Sequence, residues 1–248
     1  MEENWPMGFA PGDIAASLGR HVLPFTNPRV VAPPGRPVRH NRPNIVVATP
    51  KRCGTHLLID IILNNLPAYR NRPLYVDLDR AWQYRDVGDR VLDSVDTEIG
   101  YVVKTHLPVA HPAATRKPRI TDLFDAAIVL TVHRDLAAME TSALRWWSDL
   151  EERKVLDTVR ADYDLFWSFW RDRPRIALEF GDLFDAERMD AVLADLSART
   201  NVPRTTRYRG PMPRTRSRLI YANKALTRLV GRHAPRIDTT IHTLKTGN

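Results

Sequence analysis

From Ile45 to His56 the chain reads Ile-Val-Val-Ala-Thr-Pro-Lys-Arg-Cys-Gly-Thr-His. Branched apolar residues suited to a buried strand give way to a short loop with one Gly and two cations. An apolar helical pattern follows at once, at Leu57, Leu58, Ile61, Ile62 and Leu66. A strand feeding a loop that opens a helix presents backbone N–H groups and the positive end of the helix dipole to an anion. Lys51 and Arg52 add full charges at the same place. The chemistry indicated is the holding of a phosphate or a sulfate.

Three familiar anion loops do not fit. An ATP or GTP loop reads G-x-x-x-x-G-K-[ST], whereas here the cations precede a single Gly and no Lys follows it. A dinucleotide loop needs G-x-G-x-x-G, and only Gly54 is present. A cysteine phosphatase would carry an Arg six positions after the Cys, where this chain has Ile59.

Two further segments bear reactive groups. In Tyr101-Val-Val-Lys-Thr-His-Leu-Pro108, Lys104 and His106 are two apart and share a face if the segment is extended. Ala127 to Ser142 reads as a strand, then Arg134, then a helix carrying Ser142 eight positions on. A forked guanidinium and a hydroxyl suit a terminal phosphate.

Taken together, these segments resemble the sulfotransferases that use 3′-phosphoadenosine 5′-phosphosulfate (PAPS). The stretch Ala48-Thr-Pro-Lys-Arg-Cys-Gly-Thr-His-Leu57 is similar, without a gap, to the 5′-phosphosulfate loop A-T-Y-P-K-S-G-T-T-W of the cytosolic-type members. Lys104-Thr-His-Leu-Pro108 looks like their K-T-H-L-P strand. Arg134 and Ser142 match the spacing of their 3′-phosphate site, and Ile176-Ala-Leu-Glu-Phe-Gly-Asp-Leu183 is a weaker match to a strand ending in Y-E-D. The resemblance covers roughly residues 44 to 200.

It implies that PAPS is the co-substrate, PAP the product, and that no metal is used. Catalytic roles fall to His106, Lys104 and Arg52. Arg52 stands where the family has its catalytic Lys, at the bridging oxygen and 5′-phosphate. Lys104 would neutralise the sulfuryl oxygens in flight. His106 would take the acceptor's proton, as a neutral imidazole with a pKa near 6.5 can. Gly54, Thr55 and the N–H groups after them would hold the phosphosulfate, with Cys53 in the same loop and His56 at the helix start beside the anion, where a cation would favour phosphate. Lys51 is either a second clamp or a solvated charge. The family's late R-K-G-x-x-G-D-W-K segment is absent, and Arg209 with Gly210 is its local substitute.

Other departures leave alternatives open. Leu57 replaces a Trp that stacks on adenine, so Phe180 is either the adenine platform or a core residue. Cys53 replaces a Ser. At a helix N-terminus beside two cations its thiol should have a lowered pKa and react readily, unless it is simply a small buried residue. Tyr69, Tyr75, Trp82 and Tyr84 form either an acceptor-pocket wall or ordinary packing. The remaining histidines are read as ordinary packed residues.

The elements that must position these groups alternate strand and helix. That pattern predicts an α/β fold, a single P-loop-like domain with a central parallel sheet flanked by helices. The chain's 248 residues suffice for one sizeable core. Residues 1–43 hold eight of its nineteen prolines and read as a Pro-rich N-terminal arm. Residues 44–248 form the sulfotransferase-like domain and end in a basic segment, 199–248.

That segment carries twelve Lys or Arg against Asp238 alone, so the net charge of +8 resides in the tail. It is a solvated surface, a cover for the nucleotide's phosphates, or a nucleic-acid arm. Sparse aromatic interleaving argues against the last. One Cys excludes internal disulfides, and no leader or apolar span is evident, so a cytoplasmic location is expected. A homodimer is compatible with all of this. The functional expectation is sulfuryl transfer to a hydroxyl of a small-molecule or carbohydrate acceptor. The alternatives are a P-loop nucleotide-dependent kinase and a basic nucleic-acid-binding protein.

Overall fold

A computed structural model describes residues 42–69, 75–79, 100–109, 118–147 and 150–210. The Pro-rich arm to residue 41, Trp82, Tyr84 and the basic tail from 211 lie outside the described residues. The elements are β1 (Ile45–Ala48), α1 (Thr55–Asn65), β2 (Val76–Asp77), β3 (Val102–Thr105) and α2 (Pro118–Asp125). They continue with β4 (Ile128–His133), α3 (Leu136–Trp146), α4 (Glu152–Trp170), β5 (Ile176–Glu179) and α5 (Ala186–Thr200). One-turn 3-10 segments at Pro67–Tyr69 and Phe180–Phe184 connect them.

The five strands form one parallel sheet in the order β2-β3-β1-β4-β5. The expected α/β fold, a parallel sheet flanked by helices, is what the chain adopts. β1 and β3 are buried throughout, as parallel strands covered on both faces must be. Successive side chains point to opposite faces. Ile45 and Val47 therefore join a core with Leu58, Ile61 and Ile62 of α1. Val46 and Ala48 join a second with Phe124 of α2 and Phe166 and Trp170 of α4.

The chain leaves β1 toward β2 on one side and later places β4 on the other, so the strand order reverses at β1. In open parallel sheets ligands bind at such a switch point, beyond the carboxyl ends of the strands. The loop 49–54 lies there.

Tyr69 and Tyr75 settle into the first core at 0% and 1% exposure, and the Tyr69 hydroxyl donates to the Pro43 carbonyl at 2.7 Å. Both are packing residues and not part of a pocket wall.

Candidate functional site

The loop after β1 turns on two residues of positive φ, Arg52 at 72° and Gly54 at 82°. Gly54 caps α1 in the left-handed region, and a Cβ there would stand 2.8 Å from Leu183 Cδ1 and 2.9 Å from Phe180 Cε2. Both the backbone angle and the close approach of the 180–184 segment require glycine. Arg52 has no such freedom and costs about 1–2 kcal/mol in that conformation. Neighbours hold it there. Arg134 Nη1 donates to the Arg52 carbonyl at 2.7 Å. The Arg52 guanidinium donates through Nε and Nη2 to Ser142 Oγ at 3.1 and 3.0 Å, and lies over the Trp146 ring at 4.6 Å.

Arg52, Arg134 and Ser142, distant in sequence, thus meet around one concavity of about 690 Å³, together with Thr141, Arg145 and Trp146. Three guanidinium groups and two hydroxyls around one opening make a donor-rich, positively charged surface suited to a multiply charged anion. Thr141, Arg145 and Trp146 went unread in the sequence. Arg145 and Trp146 stand three and four positions after Ser142 on a helix, which puts them on its face; that spacing was the available signal.

Other predicted residues are placed differently. Lys51 is drawn to α4, its Nζ 2.9 Å from Asp162 Oδ2. The Cys53 thiol is fully buried, donates to Met139 Sδ at 3.2 Å, and has its pKa pushed up to about 12 by burial, against the opposing pull of Arg134 and Arg52. The expected low-pKa, reactive thiol is therefore overturned: desolvation of the thiolate exceeds the attraction of the two cations. Thr55 is buried, its hydroxyl sharing a 2.6 Å hydrogen bond with that of Thr49. His56 stands edge-on to Tyr75, ring centres 6.2 Å apart. One face of Phe180 is covered by the Arg134 guanidinium at 4.1 Å, so that face is not available to adenine.

Arg209 and Gly210 lie elsewhere. The Arg209 N–H donates to Asn65 Oδ1 at 2.8 Å, the Arg209 carbonyl accepts from Asn65 Nδ2 at 2.8 Å, and Asn64 Nδ2 reaches the Gly210 carbonyl at 3.5 Å. Asn64 and Asn65 end α1, roughly 15 Å from its first residue at about 1.5 Å per residue. The structure does not bring this pair to the anion loop.

At the end of β3 the expected open cationic edge is closed. Lys104 is buried, its Nζ 3.0 Å from Asp77 Oδ1 and 2.9 Å from Asp79 Oδ2. Its charge is spent on two carboxylates and does not face a cleft. The Asp79 carboxyl, which burial alone would raise, is held well below the usual range by the Lys104 ammonium and by His106. His106 Nδ1–H donates to the Thr49 carbonyl at 2.7 Å, which leaves Nε2 as the unprotonated nitrogen. Burial, aided by the Lys104 charge, lowers its pKa to about 4 against the raising effect of Asp79, so the ring is neutral at pH 7.

His133, read as an ordinary packed residue, links Glu179 Oε2 at 2.8 Å to the Tyr163 hydroxyl at 2.9 Å. These three line a second concavity of about 630 Å³ beside β5 that holds none of the predicted residues. Among the described residues no group of three His, Cys, Asp or Glu side chains could hold a metal ion, and no helix is long and apolar enough to cross a membrane.

The fold and site together define an α/β protein with an arginine-lined concavity at the carboxyl end of its parallel sheet. No family model matches the chain, and no curated protein matches it in sequence. Among solved structures, a sulfotransferase from Alicyclobacillus acidocaldarius is similar at a TM-score of 0.41 and 16% identity, over 74% of this chain and 92% of that one.

Proposed function

We propose that the protein is a PAPS-dependent sulfotransferase that moves the sulfuryl group to a hydroxyl of a small-molecule or carbohydrate acceptor. The observation that carries this reading is the convergence of Arg52, Arg134 and Ser142 on one concavity beside the Gly54 turn. The donor set fits PAPS: guanidinium groups and a hydroxyl for the 3′-phosphate, and the N–H groups opening α1 for the phosphosulfate.

In the reaction the acceptor oxygen bonds to sulfur while the bond from sulfur to the bridging phosphate oxygen breaks, its electron pair leaving with PAP. Negative charge grows on that leaving oxygen, and fixed N–H donors suffice to stabilise it, at ~3 kcal/mol each. Arg52 swings between Ser142 and the phosphates. His106 Nε2 takes the acceptor's proton, and the imidazole is already neutral and in the required tautomer. Lys104, held by Asp77 and Asp79, acts on His106 and not on the sulfuryl oxygens. The acceptor and co-substrate meet in the cytoplasm.

A thermal-shift panel of PAP, PAPS, ATP and NAD tests the reading. Saturating PAP should raise Tm by about 5–10 °C, and PAPS with an acceptor library should yield sulfonated products by mass spectrometry. Stabilisation by ATP alone would favour a kinase. A salt-dependent shift on DNA or RNA, with no response to PAP, would favour a nucleic-acid-binding protein.

A further inference from the structure

Asp79 lies two residues beyond β2, and its one carboxylate contacts every residue of the Lys104-Thr105-His106 run. Lys104 Nζ donates to Oδ2 at 2.9 Å, and Thr105 Oγ1 to Oδ1 at 3.0 Å. The His106 backbone N–H donates to Oδ1 at 2.8 Å and Oδ2 at 3.0 Å. Thr105 Oγ1 in turn accepts from the Leu107 N–H at 3.0 Å.

The arrangement exceeds what burying a lysine requires. One carboxylate would suffice to pair Lys104, yet Asp77 also takes its Nζ at 3.0 Å. Buried ions are costly unless their geometry and hydrogen bonding are complete. The second carboxylate is accounted for by what it fixes. β3 ends at Thr105, so no ladder bond from a neighbouring strand steadies the His106 backbone. Asp79 does so instead, while the Thr49 carbonyl holds the ring at Nδ1.

We infer that Asp79 is a positioning residue for His106: with Lys104 and Asp77 it forms a buried clamp that fixes the histidine backbone and aims Nε2 outward. The inference rests on the reading of His106 as the proton acceptor. The charged groups acting on the ring among the described residues are Lys104, which disfavours the imidazolium, and Asp79 and Asp77, which favour it. Within the clamp, Asp79 and Asp77 are the groups that oppose the lowering of the His106 pKa by burial and by Lys104.

The test is Asp79→Asn, which keeps the shape and an acceptor oxygen but removes the charge, beside Asp79→Ala, which removes both. For Asp79→Ala, kcat should fall about 10²-fold, the cost of a misplaced base, with PAP affinity unchanged. For Asp79→Asn, the acid limb of the kcat profile should move to lower pH, because a charge that raises the His106 pKa is gone. A merely loosened fold would lower Tm and kcat without moving the limb. An active enzyme whose variants keep the wild-type kcat and pH profile would overturn the inference.

NMR of the His106 ring reads the clamp without an activity assay: the ring should protonate at lower pH in Asp79→Asn than in the unaltered protein, and an unchanged titration would overturn the inference. A fixed Nδ1–H tautomer that resists protonation until pH falls well below 6.5 is expected. A ring titrating near 6.5 and sampling both tautomers would overturn it. Should the wild type neither bind PAP nor transfer a sulfo group, the functional reading fails, while the NMR result still reports on the clamp.

Discussion

The two charged regions flanking β1 treat positive charge in opposite ways. On the β4 side, Arg52, Arg134 and Arg145 border an open concavity, with hydroxyls and aromatic faces as their neighbours. On the β3 side, Lys104 is sealed in the interior between two carboxylates. Guanidinium is weakly hydrated, stays protonated and can be displayed to an anion at modest desolvation cost. A buried ammonium must be paired. The molecule thus keeps its usable cations where a ligand can reach them. Beside His106 it buries an ammonium against two carboxylates in a closed cluster.

The sharpest way to break this contrast is His106→Ala. Turnover should fall by about 10²–10⁴-fold with PAP binding nearly unchanged, and equal losses in both would refute the separation. Arg134→Ala probes the other side. PAP should bind about 30- to 4,000-fold more weakly, the range for removing one partner of a charge pair. Adenosine 5′-phosphosulfate, which lacks the 3′-phosphate, should lose far less by calorimetry. Equal losses for both nucleotides would discredit Arg134 as the reader of that group.

Gly54→Ala tests the turn that carries Arg52. A Cβ at 2.8 Å from Leu183, on a backbone at φ 82°, should cost about 1–3 kcal/mol by denaturant unfolding. The smallest effect concerns Cys53. A thiol reagent at pH 8 should leave it unmodified in the folded protein and react only on unfolding, because burial holds the pKa near 12. Above its ordinary value of 9.0 the unfolded chain alone ionises, so this thiol makes stability fall as pH rises.

The features that were legible in the sequence are local ones. The run Ile45–Ala48, the Gly54 turn and the apolar period of α1 follow from neighbouring residues, and each formed as its pattern demands. Arg134 and Ser142, read from their match to the sulfotransferase spacing of eight, do line one concavity. Asp79 and Asp162 carried no such signal, since their partners Lys104 and Lys51 lie 25 and 111 positions away.

The residue types and spacing by themselves determined that this chain builds a parallel sheet whose first strand feeds a Gly54 turn bearing two cations. They also placed Arg52 beside Gly54 in the loop after β1. Tertiary structure alone decided which charges remain available. Cys53 lost its reactivity because α3 packs Met139 against it, and Lys104 lost its place on the cleft because β2 brings two carboxylates alongside. Arg209 and Gly210 were drawn to the far end of α1 by Asn64 and Asn65. The physical reason is the same in each case: desolvation and pairing depend on neighbours remote in the chain, and a one-dimensional pattern does not encode the distance to them.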